Sequence, residues 1–263
     1  MGSVEGRIAL VTGGGRGVGR GISELLASEG ATVAVNYVRD EDSARDTVRT
    51  IEAAGGTAQL FQGSTADPED CERLAAEVAE AFGGIDILVC NAGIASRGRS
   101  VADTDAEEVW KLVATHAMGP HQLCRHVLPS MRGRERGDIV FISSVAASSL
   151  GAYGAPYNMG KVAMEALALT LAKEELRNGI RVNIVAPGLV ETDMGIRLAR
   201  ALTGDREMQD LDKLAATSPF GRVCVPEDVA RAVLFFCSSL SEYVTGQRLE
   251  VDGGASRMPR GSV

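Results

Sequence analysis

The chain lacks long apolar segments and dense clusters of positive charge. No stretch approaches the roughly 20 apolar residues that a membrane-spanning helix requires, and residues 1–6 (MGSVEG) have neither the basic region nor the apolar core of a signal peptide. No run of Lys and Arg is dense enough to follow a nucleic-acid backbone, and the formal net charge of the 263 residues is -8. We therefore expect a cytoplasmic protein that binds neither membranes nor nucleic acid.

Paired cysteines and clustered metal ligands are also lacking. The five cysteines are an odd number at wide spacings without a C-x-x-C pair, which predicts neither a disulfide framework nor a zinc ribbon. His116, His121 and His126 follow one another at intervals of five residues, so successive imidazoles would lie about 140° apart around a helix. We expect reduced, structural cysteines and no metal site.

The chain contains instead a regular alternation of apolar runs and helical segments. The apolar runs cover residues 6–12, 31–37, 57–63, 85–93, 138–144, 180–188 and 247–254. Strands that are apolar throughout and separated by helices are typical of a parallel sheet that helices cover on both faces. We predict an α/β fold, a single doubly wound Rossmann domain over residues 1–263 with a seven-stranded parallel sheet flanked by helices.

Two segments of this pattern carry further predictions. A long helix is predicted from Tyr157 to Asn178, because apolar residues recur there at helical spacing. The segment from Glu191 to Gly221 is polar and less regular than the rest of the chain. We interpret it as a candidate mobile lid.

A glycine-rich turn lies between the first predicted strand and the first helix. Residues 12–19 (TGGGRGVG) fit the pattern T-G-x-x-x-G-x-G through Gly13, Gly17 and Gly19. Glycines let the backbone approach a pyrophosphate closely, and the following helix N-terminus stabilises its negative charge. Arg20 follows where a P-loop requires Lys, so the turn predicts a dinucleotide site.

The end of the second strand bears on which dinucleotide binds. An Asp or Glu about 20 residues past the glycine turn would hold the ribose 2′-hydroxyl of NAD, but residues 36–39 read NYVR and the first acid is Asp40. Arg16 and Arg39 could form charge-assisted hydrogen bonds with a 2′-phosphate. NADP(H) is therefore favoured, and NAD(H) remains the alternative if Asp40 or Asp42 reaches the ribose.

A candidate proton-transfer site lies at the start of the long helix. Tyr157 and Lys161 are four residues apart, which places them on one helix face. A nearby ammonium favours the phenolate and would lower the pKa of the tyrosine from its reference value of about 10. Ser144 ends the fifth strand and could hydrogen-bond the same substrate oxygen as charge develops on it.

Six motifs occur in order over nearly the whole chain. They are TGGGRGVG at 12–19, CNAG at 90–93, Ser144, Tyr157 to Lys161, PGLVET at 187–192, and TGQ to VDGG at 245–254. Through these motifs the chain resembles the short-chain dehydrogenase/reductase family, and in particular members similar to 3-oxoacyl-acyl carrier protein reductases.

The resemblance implies an NAD(P)-dependent oxidoreductase that transfers a hydride between a nicotinamide cofactor and a ketone or secondary alcohol. It implies that Tyr157 is the general acid/base, that Ser144 orients the carbonyl and that Lys161 also holds the nicotinamide ribose. It further implies a homotetramer. The cofactor contacts expected from the motifs and the resemblance together are Gly13, Gly15, Arg16, Gly17, Val18, Gly19, Asn36, Tyr37, Arg39, Ser64, Thr65, Asn91, Ala92, Gly93, Tyr157, Lys161, Pro187, Gly188, Val190 and Thr192.

Two positions depart from the family pattern. Ser64 and Thr65 stand where relatives often have an Asp near the adenine, and His116 stands where many have the Asn that holds a water of the proton relay. A neutral imidazole can hold such a water, and a pKa near its reference value of about 6.5 would let His116 also accept a proton. In the alternative interpretations His116 is only a helix-bend residue, or its presence leaves a catalytically impaired dinucleotide-binding regulatory protein.

The substrate is a small-molecule carbonyl compound or alcohol whose identity and direction of reaction the sequence leaves open. An acyl-carrier-protein substrate would require a basic docking patch, for which Arg132, Arg134 and Arg136 are candidates; the alternative is a solvated surface turn. The residues expected to line the pocket are small or apolar, which suits a hydrophobic substrate: Ile94, Ala95, Val145, Ala146, Leu189 and Met194.

Overall fold

The seven predicted apolar runs form the strands of one parallel sheet. A computed structural model of the protein describes residues 2–215, 218 and 220–257. The strands are β1 (Ile8–Val11), β2 (Thr32–Tyr37), β3 (Thr57–Gln62), β4 (Ile87–Cys90), β5 (Gly137–Ile142), β6 (Ile180–Pro187) and β7 (Arg248–Val251). Their order across the sheet is β3-β2-β1-β4-β5-β6-β7, which confirms the predicted doubly wound fold.

Helices cover both faces of the sheet. The α-helices of the described residues are α1 (Gly17–Ser28), α2 (Glu41–Ala53), α3 (Pro68–Phe82), α4 (Ala106–Val113), α5 (Gly119–Met131), α6 (Ala146–Ser149), α7 (Ala155–Glu174), α8 (Asp193–Thr203), α9 (Asp212–Ala215) and α10 (Pro226–Cys237). One core cluster joins the sheet to α3, α5 and α7, and a second joins its other face to α1, α2 and α10. None of these helices has both the length and the hydropathy that crossing a membrane requires.

The helix that contains Tyr157 is shorter than predicted. Helix α7 ends at Glu174, and Leu176–Asn178 form a separate 3-10 turn. Glu175 is buried, and its carboxylate accepts hydrogen bonds from Arg132 and Asn178. Gly179, with φ of 69°, then reverses the chain into β6.

A π-helical turn separates α4 from α5. Residues Ala114–Met118 form this wider turn, and His116 inside it is fully buried. A Cβ atom on Gly119 would lie 1.9 Å from the carbonyl oxygen of Thr65, so only glycine allows the two backbones to approach at this point. Such turns are frequent at functional sites.

The three arginines that follow α5 lie at a surface turn and are paired with carboxylates. Arg132 pairs with Glu175, Arg134 pairs with Asp86, and Arg136 pairs with Asp138. Each positive charge therefore has a carboxylate partner at the amino end of the sheet. These pairs argue against the docking patch, whereas the exposed turn at residues 132–135 agrees with the alternative of a surface turn. Sequence spacing gives no sign of the partners, which lie 43 and 48 residues away.

The segment interpreted as a lid contains helices α8 and α9. Ala199, Met208, Leu211 and Val223 form an apolar cluster that is separate from the two main cores. The excursion begins and ends at a bridge between Val190 and Cys224, where the two backbones pair in parallel. Its described part thus packs largely on itself, and its mobility stays a prediction.

Candidate active site

The carboxyl ends of β1 and β4 are tied together by Thr12. Its hydroxyl donates to the carbonyl oxygen of Val89 at 3.1 Å and accepts from the backbone N–H groups of Asn91 and Ala92 at 2.9 and 3.0 Å. The Asn91 amide donates in turn to the carbonyl oxygens of Thr12 and Gly13. These bonds bring the glycine turn and the NAG segment together where the strand order reverses, which is where open α/β sheets bind ligands.

Asn36 supports the glycine turn from inside the sheet. Its side chain is fully buried, its oxygen accepts from the N–H of Gly13 at 3.1 Å, and its nitrogen donates to the carbonyl oxygens of Phe61 and Gly63. No surface of this side chain is left for a cofactor. The expected contact between Asn36 and the cofactor is therefore corrected to a structural role.

The glycine turn is shaped as a cradle that larger residues would fill. Gly13 and Gly17 have φ values of 60° and 52°, which side chains rarely adopt. A Cβ atom on Gly19 would lie 2.0 Å from the carbonyl oxygen of Gly13, and one on Gly15 would lie 2.6 Å from Cα of Ala44. The turn leads into the N-terminus of α1, so the geometry fits a dinucleotide pyrophosphate.

The loop after β6 covers the same turn. Thr192 is the N-cap of α8, where its hydroxyl accepts from the N–H of Gly195 at 3.1 Å. A Cβ atom on Gly17 would lie 3.3 Å from the methyl group of Thr192. Pro187 holds the adjacent turn by accepting from the N–H of Val145. The structure thus brings Thr192 to the N-terminus of α1.

The region beyond β2 contains both arginines expected at the adenosine ribose. Arg16 is exposed and lies 3.4 Å from the carboxylate of Asp40, which also caps α2 by accepting from the N–H of Ser43. Arg39 is exposed, and the phenol of Tyr37 hydrogen-bonds Glu41. The other expected contacts differ in accessibility, since Thr65 and Val190 are buried whereas Ser64, Val18 and Gly188 are half-buried.

Ser144, Tyr157 and Lys161 meet at the carboxyl end of β5. Ser144 lies in the turn after this strand, close enough to the phenol of Tyr157 for its hydroxyl to lower the pKa of that phenol. The Lys161 amine donates to the carbonyl oxygen of Ile142 at 2.7 Å and lies 5.7 Å from the centre of the Tyr157 ring. The residues that the sequence singled out for proton transfer are therefore neighbours.

His116 completes the wall around Tyr157. The two rings meet edge to face, with centroids 5.2 Å apart. Cβ atoms on Gly93 and Gly160 would lie 2.8 and 3.0 Å from atoms of His116, so both glycines are required for the imidazole to fit. Nε2 lies 2.9 Å from the carbonyl oxygen of Ile94 and 3.4 Å from its backbone nitrogen. Because the shorter contact is to a carbonyl, which only accepts, we assign the proton to Nε2. Nδ1 is then a buried acceptor with no partner among the described residues.

Comparison with known proteins gives the family. A sequence model of the family described as "Enoyl-(Acyl carrier protein) reductase" matches residues 13–256. The chain belongs to the short-chain dehydrogenase/reductase family. It is therefore an oxidoreductase that transfers hydride between a nicotinamide cofactor and a CH-OH or C=O group.

Three relatives illustrate this membership. Versicolorin reductase 1 of Aspergillus parasiticus is 37% identical over 259 residues, which are 97% of this chain and 98% of that protein. The structure of LugOII, a promiscuous reductase that catalyses keto-reduction at C1 during lugdunomycin biosynthesis, matches with a TM-score of 0.85 at 32% identity, covering 97% of this chain and 100% of that one. Levodione reductase matches with a TM-score of 0.90 at 27% identity, covering 97% and 99%.

In this short-chain dehydrogenase/reductase, burial dominates the protonation of the neighbouring groups. Burial raises the pKa of Tyr157 above its ordinary value, and the hydrogen bond with Ser144 only partly opposes this. Burial also lowers the pKa of Lys161 to about 7. The expected lowering of the Tyr157 pKa is thus reversed, because removing the phenolate from water outweighs the opposing effect of the Ser144 hydroxyl.

The expectation that His116 titrates near neutrality is also wrong. Burial, followed by the positive charge of Lys161, lowers the pKa of His116 to about 3. The imidazole is neutral throughout the physiological range, with Nε2 as donor and Nδ1 as acceptor. Its pKa excludes a proton-accepting role at neutral pH and leaves the hydrogen-bonding role.

Sequence reasoning missed several residues that build the site. Thr12 and Asn158 are buried polar residues, and Asn158 donates from its side chain to the carbonyl oxygen of Gly151. Leu150 and Tyr153, between Ser144 and Tyr157, have positive φ values of 47° and 64°. A polar residue inside an apolar run is a signal that could have indicated the structural roles of Thr12 and Asn36. No sequence pattern indicates the backbone conformation of Leu150 or Tyr153.

Replacement of His116 by Asn is expected to reduce the acid sensitivity of the fold. The unfolded chain binds a proton at His116 below about pH 6.5, whereas the folded chain does so only near pH 3. Stability is therefore lost as the pH falls through this window, by about 2 kcal/mol between pH 7.5 and pH 5. Urea unfolding at both pH values should show His116→Asn losing less stability than the wild type by that amount. His121→Asn, at an exposed position, should lose as much as the wild type, and equal losses in all three proteins would contradict the prediction.

Proposed function

We propose that the protein reduces a ketone to a secondary alcohol with NADPH, using Tyr157 as the general acid. The observation that carries this proposal is a phenol held between the Ser144 hydroxyl and the Lys161 amine in a largely buried site. Because burial raises the pKa of Tyr157, the phenol remains protonated at neutral pH. It can then give its proton to a substrate oxygen.

The residues of the site divide the reaction between them. The nicotinamide, when bound, supplies the hydride that reduces the carbonyl carbon. The Ser144 hydroxyl orients the substrate oxygen and donates a hydrogen bond to it as charge develops. Tyr157 transfers its proton to that oxygen, and Lys161, when protonated, stabilises the resulting phenolate. In the direction of alcohol oxidation the same phenolate would accept the proton.

We further propose that His116 takes the place of the usual Asn in the proton relay. The buried Nδ1 has an acceptor lone pair that no described residue uses, so it can hold a water by accepting from it. The bond from Nε2 to Ile94 fixes the orientation of the ring. This role requires no titration of His116 and argues against the alternative of a catalytically impaired binding protein.

The proposed substrate is a hydrophobic cyclic ketone. Ile94, Val145, Ala146 and Met194 are apolar and half-buried around the site, whereas Leu189 packs against the apolar cluster of the 191–223 segment. The named reactions of two relatives, keto-reduction by LugOII and the activity of levodione reductase, support a ketone substrate. Such a pocket would select substrates by their size and apolar surface rather than by their charge.

Replacement of Tyr157 by Phe should abolish turnover and leave cofactor binding intact. Loss of the general acid costs about 10²- to 10⁴-fold in kcat, whereas the dissociation constant for NADPH should change by less than about threefold. Oxidation of NADPH against cyclic ketones of increasing size measures the first effect, and fluorescence titration measures the second. Tyr243→Phe is the matched control, since Tyr243 is fully exposed outside the site and the variant should retain activity.

Two outcomes would contradict this assignment. Full activity of Tyr157→Phe would remove the tyrosine from the chemistry. Tight NADPH binding by the wild type without oxidation across the whole ketone panel would favour a dinucleotide-binding regulatory protein instead.

The preference for NADPH rests on Arg16. The guanidinium is exposed at the start of α1 and lies beside Asp40, the first carboxylate after β2. A 2′-phosphate can compete for this guanidinium through charge-assisted hydrogen bonds. If Asp40 binds the ribose instead, the preference reverses to NADH.

Replacement of Arg16 by Ala should therefore reduce selectivity for NADPH. We expect kcat/KM for NADPH to fall about 10- to 100-fold, because a charge-assisted bond is lost, while kcat/KM for NADH changes by less than about threefold. Arg39→Ala tests the second arginine in the same assay. A wild-type enzyme that uses NADH more efficiently than NADPH would overturn this part of the proposal.

We also propose that the protein assembles as a homotetramer. Helices α4 and α7 pack against each other, and apolar side chains are exposed on and beside them. These side chains are Trp110 at 72%, Met118 and Met159 at 52%, Val162 at 42% and Leu169 at 39%. A contiguous apolar face of this kind is typical of an interface between subunits.

Replacement of Val162 by Glu should disrupt the assembly. Light scattering after size-exclusion chromatography should give the wild type a mass near four times the 27.6 kDa of one chain, and the variant a smaller mass, because a charge on this face would be buried without a partner. Fluorescence of Trp110, the only tryptophan, should shift to longer wavelength as it becomes exposed. Val101→Glu, exposed outside this face, is the control, and a monomeric wild type would contradict the proposal.

A further inference from the structure

A network of charged side chains joins the last strand to the serine and the lysine of the site. One carboxylate oxygen of Glu165 accepts from the Ser143 hydroxyl at 2.5 Å and from Nε of Arg248 at 2.9 Å. Arg248 also donates to the carbonyl oxygen of Ser144 at 3.1 Å and to Glu250 at 2.6 Å. The side chains of Arg248 and Glu165 are only 20% and 16% exposed, so water screens these interactions weakly.

Arg248 connects three separate parts of the fold. Its three donor nitrogens reach Glu165 on α7, Glu250 on β7 and the backbone of Ser144 in the turn after β5. A planar guanidinium can serve three acceptors in a fixed geometry, whereas an ammonium is a point charge on a flexible stem. Arg248 thereby restrains the peptide that carries the Ser144 side chain.

Glu165 lies one helical turn after Lys161, and although its ion-pair partner is Arg248, its negative charge opposes the effect of burial on the lysine. The other groups that affect or contact Lys161 are Cys90 on β4, His116 in the π-helical turn and Tyr157 on α7. Burial and a hydrogen bond from Cys124 raise the pKa of the Cys90 thiol, and His116 and Tyr157 are also neutral near pH 7. Among these four groups, only the Glu165 carboxylate opposes the loss of the lysine proton at neutral pH.

We propose that Glu165 and Arg248 are positioning residues: Arg248 fixes the backbone of Ser144, and Glu165 holds Arg248 and Ser143 while placing a negative charge one helical turn from Lys161. Their effect on turnover rests on the proposed function. Their effect on Lys161 does not rest on the proposed function, because the protonation of Lys161 can be measured without substrate or cofactor.

The first experiment measures Lys161 directly. The chain has only four lysines, so NMR of protein labelled at lysine can follow each amine through a pH titration, with Lys161→Arg assigning the signal. Glu165→Gln keeps an acceptor for Ser143 and removes the charge, which should lower the pKa of Lys161 by about one unit. Glu174→Gln, at an exposed position of the same helix, should leave it unchanged. An unchanged pKa in Glu165→Gln would overturn the role assigned to Glu165.

The second experiment tests Arg248 by kinetics. Arg248→Met should lower kcat at least about tenfold, because displacement of Ser144 misaligns the substrate oxygen, while KM for NADPH changes by less than about twofold. Arg248→Lys keeps the counter-charge to Glu165 and should recover only part of the rate. A lower melting temperature in both variants with wild-type kcat would show a merely structural role and overturn the proposal. A wild type that reduces no ketone would instead refute the proposed function and leave the lysine titration as a valid test of Glu165.

Discussion

The burial of the Lys161 ammonium is the constraint on which the site depends. The side chain is 3% exposed, and removing a cation from water is unfavourable unless nearby groups compensate. The carbonyl oxygen of Ile142 at the end of β5, which accepts a hydrogen bond from the lysine amine, and the negative charge of Glu165 provide that compensation. Because these groups come from the sheet and from α7, the helix must lie close to the strand ends, and this contact also brings Tyr157 to Ser144.

Because the surrounding elements approach one another closely, some positions of the site tolerate only small residues. His116 fits beside Tyr157 only because Gly93 and Gly160 lack side chains at its two edges. The neutral imidazole then occupies the space next to the lysine without adding a second positive charge, since burial and Lys161 together suppress its protonation. The departure from the usual Asn is thus compatible with the same surroundings, because both side chains offer a donor and an acceptor in this position.

The sequence predicts the framework better than the fine structure of the site. Apolar runs correspond to buried parallel strands, as at Ile87–Cys90, where every residue is buried between the helix layers. The motif spacing brings Ser144, Tyr157 and Lys161 into one fold region. The protonation of His116 was mispredicted since it depends on burial, which a reference pKa omits. The structural role of Asn36 and the ion pair of Arg132 were missed for a related reason: their partners lie far away in sequence.

The residues proposed for proton transfer and the segment between Val190 and Cys224 lie in separate packing units. The groups proposed for proton transfer lie on β5 and α7, which are packed into a core that extends across the sheet. The segment between Val190 and Cys224 instead packs its apolar side chains mainly on one another. Substitutions within that cluster of apolar side chains are expected to leave Ser144 and Lys161 undisturbed, because its buried residues belong to neither of the two main cores. Specificity is therefore expected to vary in this segment, while the buried lysine and its partners restrict change around the phenol.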